Sequence, residues 1–103
     1  MKKTQQEKGY SIYLNQEYKS NEIEEILEFI ASKHESLELY YRLKNNLKGK
    51  IILEIYIYSD NSNEIFKIIK DLFYDSKIYP IKNKFLLKSM LSNNQFVKCI
   101  KKK

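Results

Sequence analysis

The tetrapeptide SNEI stands at residues 20–23 and again at 62–65, and in both places an apolar rhythm of helical period follows it. Each copy is also preceded by a segment of strand-like alternation, "YSIYLN" at 10–15 and "KIILEIYIYS" at 50–59. With a single one-residue gap, Ile12-Tyr13-Leu14 aligns with Ile55-Tyr56-Ile57 and the two SNEI segments align with each other. Both copies therefore run strand, cap, helix. A chain of two such halves has few ways to close, because parallel strand–helix–strand crossovers are right-handed and short connections keep consecutive elements adjacent.

The intervening segments complete the pattern. In the first helix Ser20 or Asn21 is placed to cap free amides, glutamates fill the first turn, and Ile23, Ile26, Leu27 and Ile30 form one stripe. "SLELYYRLK" alternates next, with Leu37, Leu39, Tyr41 and Leu43 against Glu38, Tyr40, Arg42 and Lys44. Asn45, Asn46 and Gly49 tolerate the backbone angles of a reversal, so a hairpin follows. The returning strand points Ile51, Leu53, Ile55 and Ile57 inward and Lys50, Ile52, Glu54, Tyr56 and Tyr58 outward. The second helix, with a cap at Asn61 or Ser62, buries Ile65, Ile68, Ile69, Leu72 and Phe73. The repeat places a fourth strand at "IYPIK", residues 78–82, and Pro80 assigns it to a sheet edge because it cannot donate a ladder hydrogen bond.

The expected fold is thus an α+β, ferredoxin-like βαββαβ two-layer sandwich: four antiparallel strands with two helices on one face. Since capping favours Ser, Asn and Glu wherever helices start, the matching caps also suit another α+β arrangement. The 103 residues, 43% of them hydrophobic, fit a single domain, with residues 10–82 as the sandwich core and 83–103 as a basic C-terminal extension. Within the extension "NKFLLKSML" reads as a helix with Leu86, Leu87, Met90 and Leu91 on one face, ended by Asn93 or Asn94. "QFVKCIKKK" suits either a last short strand or a tail.

Charge is distributed unevenly. Ile, Lys, Asn and Tyr supply 50 residues, so lysine abundance by itself reflects a composition bias. Its position is more informative: residues 1–82 balance 13 basic against 13 acidic side chains, whereas residues 83–103 carry six lysines and no acid. The net charge of +6 therefore sits in the last fifth of the chain and suggests a polyanionic partner. No signal-peptide pattern follows Lys2 and Lys3, and no run of about 18 apolar residues is present. A cytoplasmic protein without membrane association is expected. The single cysteine, Cys99, agrees with a reducing compartment.

Candidates for chemistry are few. His34 is the one histidine and lies near the end of the first helix, where ordinary dipole effects suit it. Neither CxxC nor HxxxH occurs, so no metal or other cofactor is expected. Cys99 lacks an identifiable base, and two glycines cannot build a phosphate-cradling loop. Asp71 and Asp75 are spaced one helical turn apart, yet Lys67 a turn earlier marks an ion-paired exposed face. The protein is therefore expected not to be an enzyme; a small nuclease using Asp60 or Asp71 is the remaining catalytic option.

A binding surface is what remains. In a two-layer sandwich the outward strand residues Tyr13, Tyr40, Arg42, Lys44, Lys50, Tyr56 and Tyr58 share an open face, interleaving aromatics with cations. Tyrosine rings stack on unpaired bases and lysines neutralise phosphates. Lys84, Lys88, Lys98, Lys101, Lys102 and Lys103 of the extension add to this nucleic-acid-binding set. The element order, "SIYLN" on the first strand and "KGKIILEI" on the third resemble the RNA recognition motif. Lys48 and Gly49 match the start of that family's third-strand octamer, Leu53 stands for its valine, and Tyr13 occupies the first-strand aromatic position. Lys50 and Ile52 stand where its stacking aromatics belong.

The leading expectation is thus a binding module for RNA or DNA. Its rival is a protein-binding regulator or inhibitor, such as an antitoxin-like partner or a mobile-element or phage factor, acting through the sheet, a helix or a homodimer interface. The acidic first helix, with Glu22, Glu24, Glu25 and Glu28, favours the rival because it repels phosphate. The two diverge on one packing choice. If the appended helix folds over the sheet, no base reaches the tyrosines.

Overall fold

The computed structural model describes residues 5–15 and 17–99. Among the described residues eight elements follow one another: β1 (Gln6–Tyr13), α1 (Ser20–Ala31), β2 (Glu38–Asn45), β3 (Ile51–Ser59), α2 (Ser62–Leu72), β4 (Lys77–Pro80), α3 (Lys84–Ser92) and β5 (Val97–Lys98). The result is a small α+β domain with a five-stranded antiparallel sheet, in the order β4-β1-β3-β2-β5, and three helices. The sheet has one strand more than the four expected, while the third helix is the one expected in the C-terminal extension. The fifth strand is only two residues long, and the third helix lies on the sheet face opposite α1 and α2.

Alternation decides the two faces. Ile12, Leu39, Leu53, Ile55 and Ile57 point to the α1 and α2 side, where they meet Ile23, Leu27, Ile30, Ile65 and Ile69, and every one of these is at most 1% exposed. Burying an isoleucine or leucine contributes roughly 1.5–3 kcal/mol against leaving it in water, so this layer is the main stabilising core. Tyr10 closes one end of it by stacking on Phe66 of α2, with ring centroids 4.8 Å apart. Phe73, fully buried, lies one residue past the end of α2.

The caps differ from expectation. The N-cap of α1 is Lys19, with no side-chain cap, and Ser20 is already helical. Asn61 does occupy the N-cap of α2, but its amide donates to the Glu64 carboxylate instead of capping a backbone N–H. Only α3 is capped as the residue type suggests: Asn83 Oδ1 accepts from the amides of Phe85 (2.8 Å) and Leu86 (3.3 Å). Asp75 falls in the turn beyond α2, so it does not form a helical carboxylate pair with Asp71.

The β2–β3 hairpin is built as its residues predict. Asn46 Oδ1 accepts from the backbone amides of Lys48 and Lys50, both at 2.9 Å, and Gly49 takes the left-handed conformation at φ 79°. β1 starts earlier than its alternation implies, since residues 6–9 pair with Tyr56 to Ser59 of β3. At the other edge β4 pairs with residues 10–13 of β1 and ends at Pro80, in keeping with an edge strand.

The C-terminal extension is folded onto the domain. α3 lies on Gly9 of β1: a Cβ built there would stand 2.8 Å from Leu87 Cδ1 and 3.1 Å from Met90 Sδ, so a single methyl has to displace the flexible ends of these side chains and a larger group would press on the helix. Met90 is 5% exposed, whereas Leu86 and Leu91, expected on the same buried face, are 58% and 46% exposed. β5 then adds to the free edge of β2, pairing Val97 with Tyr41 and Lys98 with Tyr40, and the Cys99 amide donates to the Leu39 carbonyl at 2.8 Å. Cys99 itself is buried against the main core. Among the described residues no helix is long and apolar enough to cross a membrane.

Candidate nucleic-acid interface

Strand register sets the second face of the sheet in rows. Nearest the β2–β3 hairpin, Lys77, Tyr13, Ile52 and Lys44 stand side by side across β4, β1, β3 and β2. The next row holds Tyr79, Ser11, Glu54 and Arg42. Then come Gly9, Tyr56, Tyr40 and Lys98, and last Glu7, Tyr58 and Glu38. Charge consequently runs from basic at the hairpin end to acidic at the far end.

Between the edge strands β4 and β5 the middle rows are closed. Tyr56, expected as half of a stacking pair with Tyr13, is 1% exposed and packs edge-on to Tyr40 with centroids 5.9 Å apart. Burial, with the Glu7 carboxylate beside it, raises its ionisation well above the ordinary tyrosine value. It cannot offer a ring to a base. Tyr40 is half-buried, with Lys98 Nζ 5.9 Å from its ring centre. Lys98 in turn bonds to Glu38 at 3.3 Å, so one cation of the extension is offset by the chain's own acid.

Arg42 is occupied as well. Its Nε and Nη2 donate to Glu54 Oε1, its Nη1 donates to Gln95 Oε1 at 2.9 Å, and Phe96 lies 5.0 Å from the guanidinium. These contacts tie the segment between α3 and β5 to the sheet and border a half-open cavity of about 190 Å³ between Ser11, Glu54, Ile81, Met90 and Asn93. Tyr58 is half-buried between Glu7 and Glu38, an acidic setting that disfavours phosphate. Ile52, at an aromatic position of the RNA recognition motif, is 6% exposed and presents no surface.

The hairpin end is different. Tyr13 is 43% exposed and meets Tyr79 edge to face, with centroids 5.4 Å apart and planes at 88°. Lys44, Lys50 and Lys77 are exposed around this pair. Lys44 lies 3.7 Å from Glu54, a carboxylate that Arg42 already neutralises, so the lysine's charge remains in excess. Among the described residues no carboxylate comes within ion-pair distance of Lys50 or Lys77. A cleft of about 710 Å³ opens alongside, between the hairpin residues Lys48, Gly49 and Lys50 and the residues Tyr18, Lys19 and Glu22 leading into α1.

Tyr79 and Lys77 are additions that alternation along β4 already contained, since both have the parity opposite to buried-side Ile78. Lys84 and Lys88 lie exposed on α3, apart from the hairpin row, and Lys101, Lys102 and Lys103 lie outside the described residues. Of the acidic candidates, Asp60 accepts from Ser36 Oγ at 3.1 Å and Asp71 is exposed on α2. His34 stands 3.8 Å from Glu64. The sequence matches no family model, and comparison with curated proteins and with solved structures finds no match.

Proposed function

We propose that this protein is a non-enzymatic module that binds single-stranded RNA or DNA at the hairpin end of its second sheet face. One observation carries the reading: the register sets exposed Lys77 beside Tyr13 and exposed Lys44 across the buried Ile52 in the same row, with Tyr79 set against Tyr13 and Lys50 at the adjoining turn. A base stacks on the free face of Tyr13 while the lysines hold the phosphates on either side. The acidic far end of the same face orients the strand by repulsion. The site is smaller than the full outward set of the strands, because α3 and the segment after it occupy the rest.

We also infer that β1 to β4 with α1 and α2 form a ferredoxin-like core to which α3 and β5 are appended. The support is the strand order β4-β1-β3-β2 with both repeat-derived helices on one face. The same reading places the protein in the cytoplasm, supported by a sole cysteine that is buried as a free thiol.

Fluorescence anisotropy with labelled single-stranded oligonucleotides at two salt concentrations tests the function. Each phosphate contact contributes about 0.7 to the slope of log affinity against log salt for single strands. The triple substitution Lys44→Ala, Lys50→Ala and Lys77→Ala should lower that slope by about 2. Tyr13→Ala should weaken binding by about 1–3 kcal/mol with the slope unchanged. Absence of binding by the intact protein at low salt would end the proposal.

A second reading, a protein-binding regulator, is favoured by a separate observation. The outer side of α3 leaves Phe85 88% exposed, the most exposed aromatic side chain of the described residues, with Leu86 and Leu91 also partly bare.

A further inference from the structure

Two apolar grooves on opposite layers of the molecule carry opposite charge. The first runs along the outside of α3, where Phe85 projects between Lys84 and Lys88 above Ser89 and Ser92 and bounds a groove of about 520 Å³. The helix contains no acidic residue. The second lies on α1 against the end of α2, where Phe29, Ile26 and Leu72 form an apolar floor beside Glu22 and Glu25 and bound a groove of about 430 Å³. Phe29 is 48% exposed even with Lys33 lying over its ring at 4.2 Å.

The two surfaces match in length and in sign. Lys84 and Lys88 are four residues apart and Glu22 and Glu25 three apart, so each pair spans roughly one helical turn, about 5–6 Å. Every one of these four charged residues is exposed, and none has an ion pair among the described residues. The sheet separates α3 from α1, so the surfaces cannot meet within one molecule. The partner best suited to each is a second copy of the chain.

We propose that copies of this protein associate head to tail, the α3 groove of one molecule docking on the α1 groove of the next. Phe85 of one copy then packs on Phe29 and Ile26 of its neighbour, and Lys84 and Lys88 face Glu22 and Glu25. Because the two patches differ, the contact is heterologous: it propagates as a ring or a filament, and does not stop at a two-fold dimer. It extends the protein-binding reading by naming the occupant, and leaves the hairpin end of the sheet free.

The experiment uses full-length protein freed of nucleic acid, with mass measured by light scattering across a concentration series. Wild-type mass should rise above the 12.5 kDa protomer with concentration and return to it at roughly 1 M salt, where the screening length falls to about 3 Å. The variant Lys84→Glu with Lys88→Glu should remain monomeric, and so should Glu22→Lys with Glu25→Lys. Mixed together, they should associate again to masses above two protomers, because the native α1 of one variant meets the native α3 of the other and the two reversed patches also face each other with opposite charge. Phe85→Ser supplies a variant without charge reversal and should also abolish association.

A wild type that stays monomeric at every concentration overturns the proposal, including one that instead co-sediments with anionic phospholipid vesicles. So does an oligomer that persists in either charge-reversed variant alone, or a mixture of the two variants that stays monomeric. Oligonucleotide binding is measured separately through Lys44, Lys50 and Lys77, so the failure of either idea is distinguishable from that of the other.

Discussion

The pairing of Arg42 with Glu54 is the electrostatic clasp that closes the second face, and removing it gives a calculable loss. The Glu54 side chain is 13% exposed and Arg42 is 21% exposed, so neither charge is fully hydrated. Arg42→Met keeps the apolar stem but removes both bonds to the carboxylate, the bond to Gln95 and the contact with Phe96. What remains beside Glu54 among the described residues is Lys44 at 3.7 Å. Breaking a fully buried pair costs about 3–5 kcal/mol and an exposed one about 0–1. Partial burial and the surviving lysine place this change between them, at about 2 kcal/mol.

Urea titration followed by circular dichroism reads the loss directly. With a slope of about 1 kcal/mol per molar urea for a small domain, the midpoint should fall by roughly 2 M. Glu54→Met completes a double-mutant cycle, and the double variant should regain most of the stability because no carboxylate is left without its partner. A single-variant loss below about 0.5 kcal/mol would refute the reasoning. So would a double variant as unstable as the two single losses summed.

Three further outcomes follow from the seating of α3 and β5. Gly9→Ala should be tolerated, since the atoms it meets are ends of flexible side chains, whereas Gly9→Val should cost about 1–3 kcal/mol and raise hydrogen exchange across α3; equal stability of the two variants would mean that α3 is not seated on β1. Burial, with Glu28 and Glu24 adding to it, pushes the Cys99 thiol up to about 11, so labelling by a thiol reagent at neutral pH should be slower than in urea by on the order of 100-fold, and equal rates would place β5 off the sheet. Burial, then Glu24, raises Tyr41 to about 12. In the unfolded chain these groups ionise near 8.5 and 10, so between those values and the native ones the unfolded state binds fewer protons and stability should fall as pH rises. It should be insensitive to both groups below about pH 8, and Cys99→Ala should remove the earlier part of the decline.

Local periodicity made much of the fold legible. The duplicated strand and helix order, the inward parity of Leu53, Ile55 and Ile57, the turn at Asn46 and Gly49 and the edge position of Pro80 each rest on a few neighbouring residues, and each appears in the structure. Even the helix at Lys84–Ser92 was readable from its apolar spacing. For the candidate site, alternation assigned Tyr13, Lys44 and Lys50 to exposed positions beside the hairpin, and the parity of β4 already held Tyr79 and Lys77.

Which of those outward residues stays accessible was decided only in three dimensions. Tyr56 and Tyr13 share one parity, yet Tyr56 is sealed and Tyr13 is open, because α3 settles where Gly9 leaves room and the segment after it is drawn in by Arg42, Gln95 and Phe96. The two-residue pairing of β5 with β2 likewise joins positions more than 50 residues apart through backbone groups that every residue possesses. Side-chain pattern along a chain encodes which face a residue takes; what covers that face depends on contacts between distant segments, and no local rhythm records them.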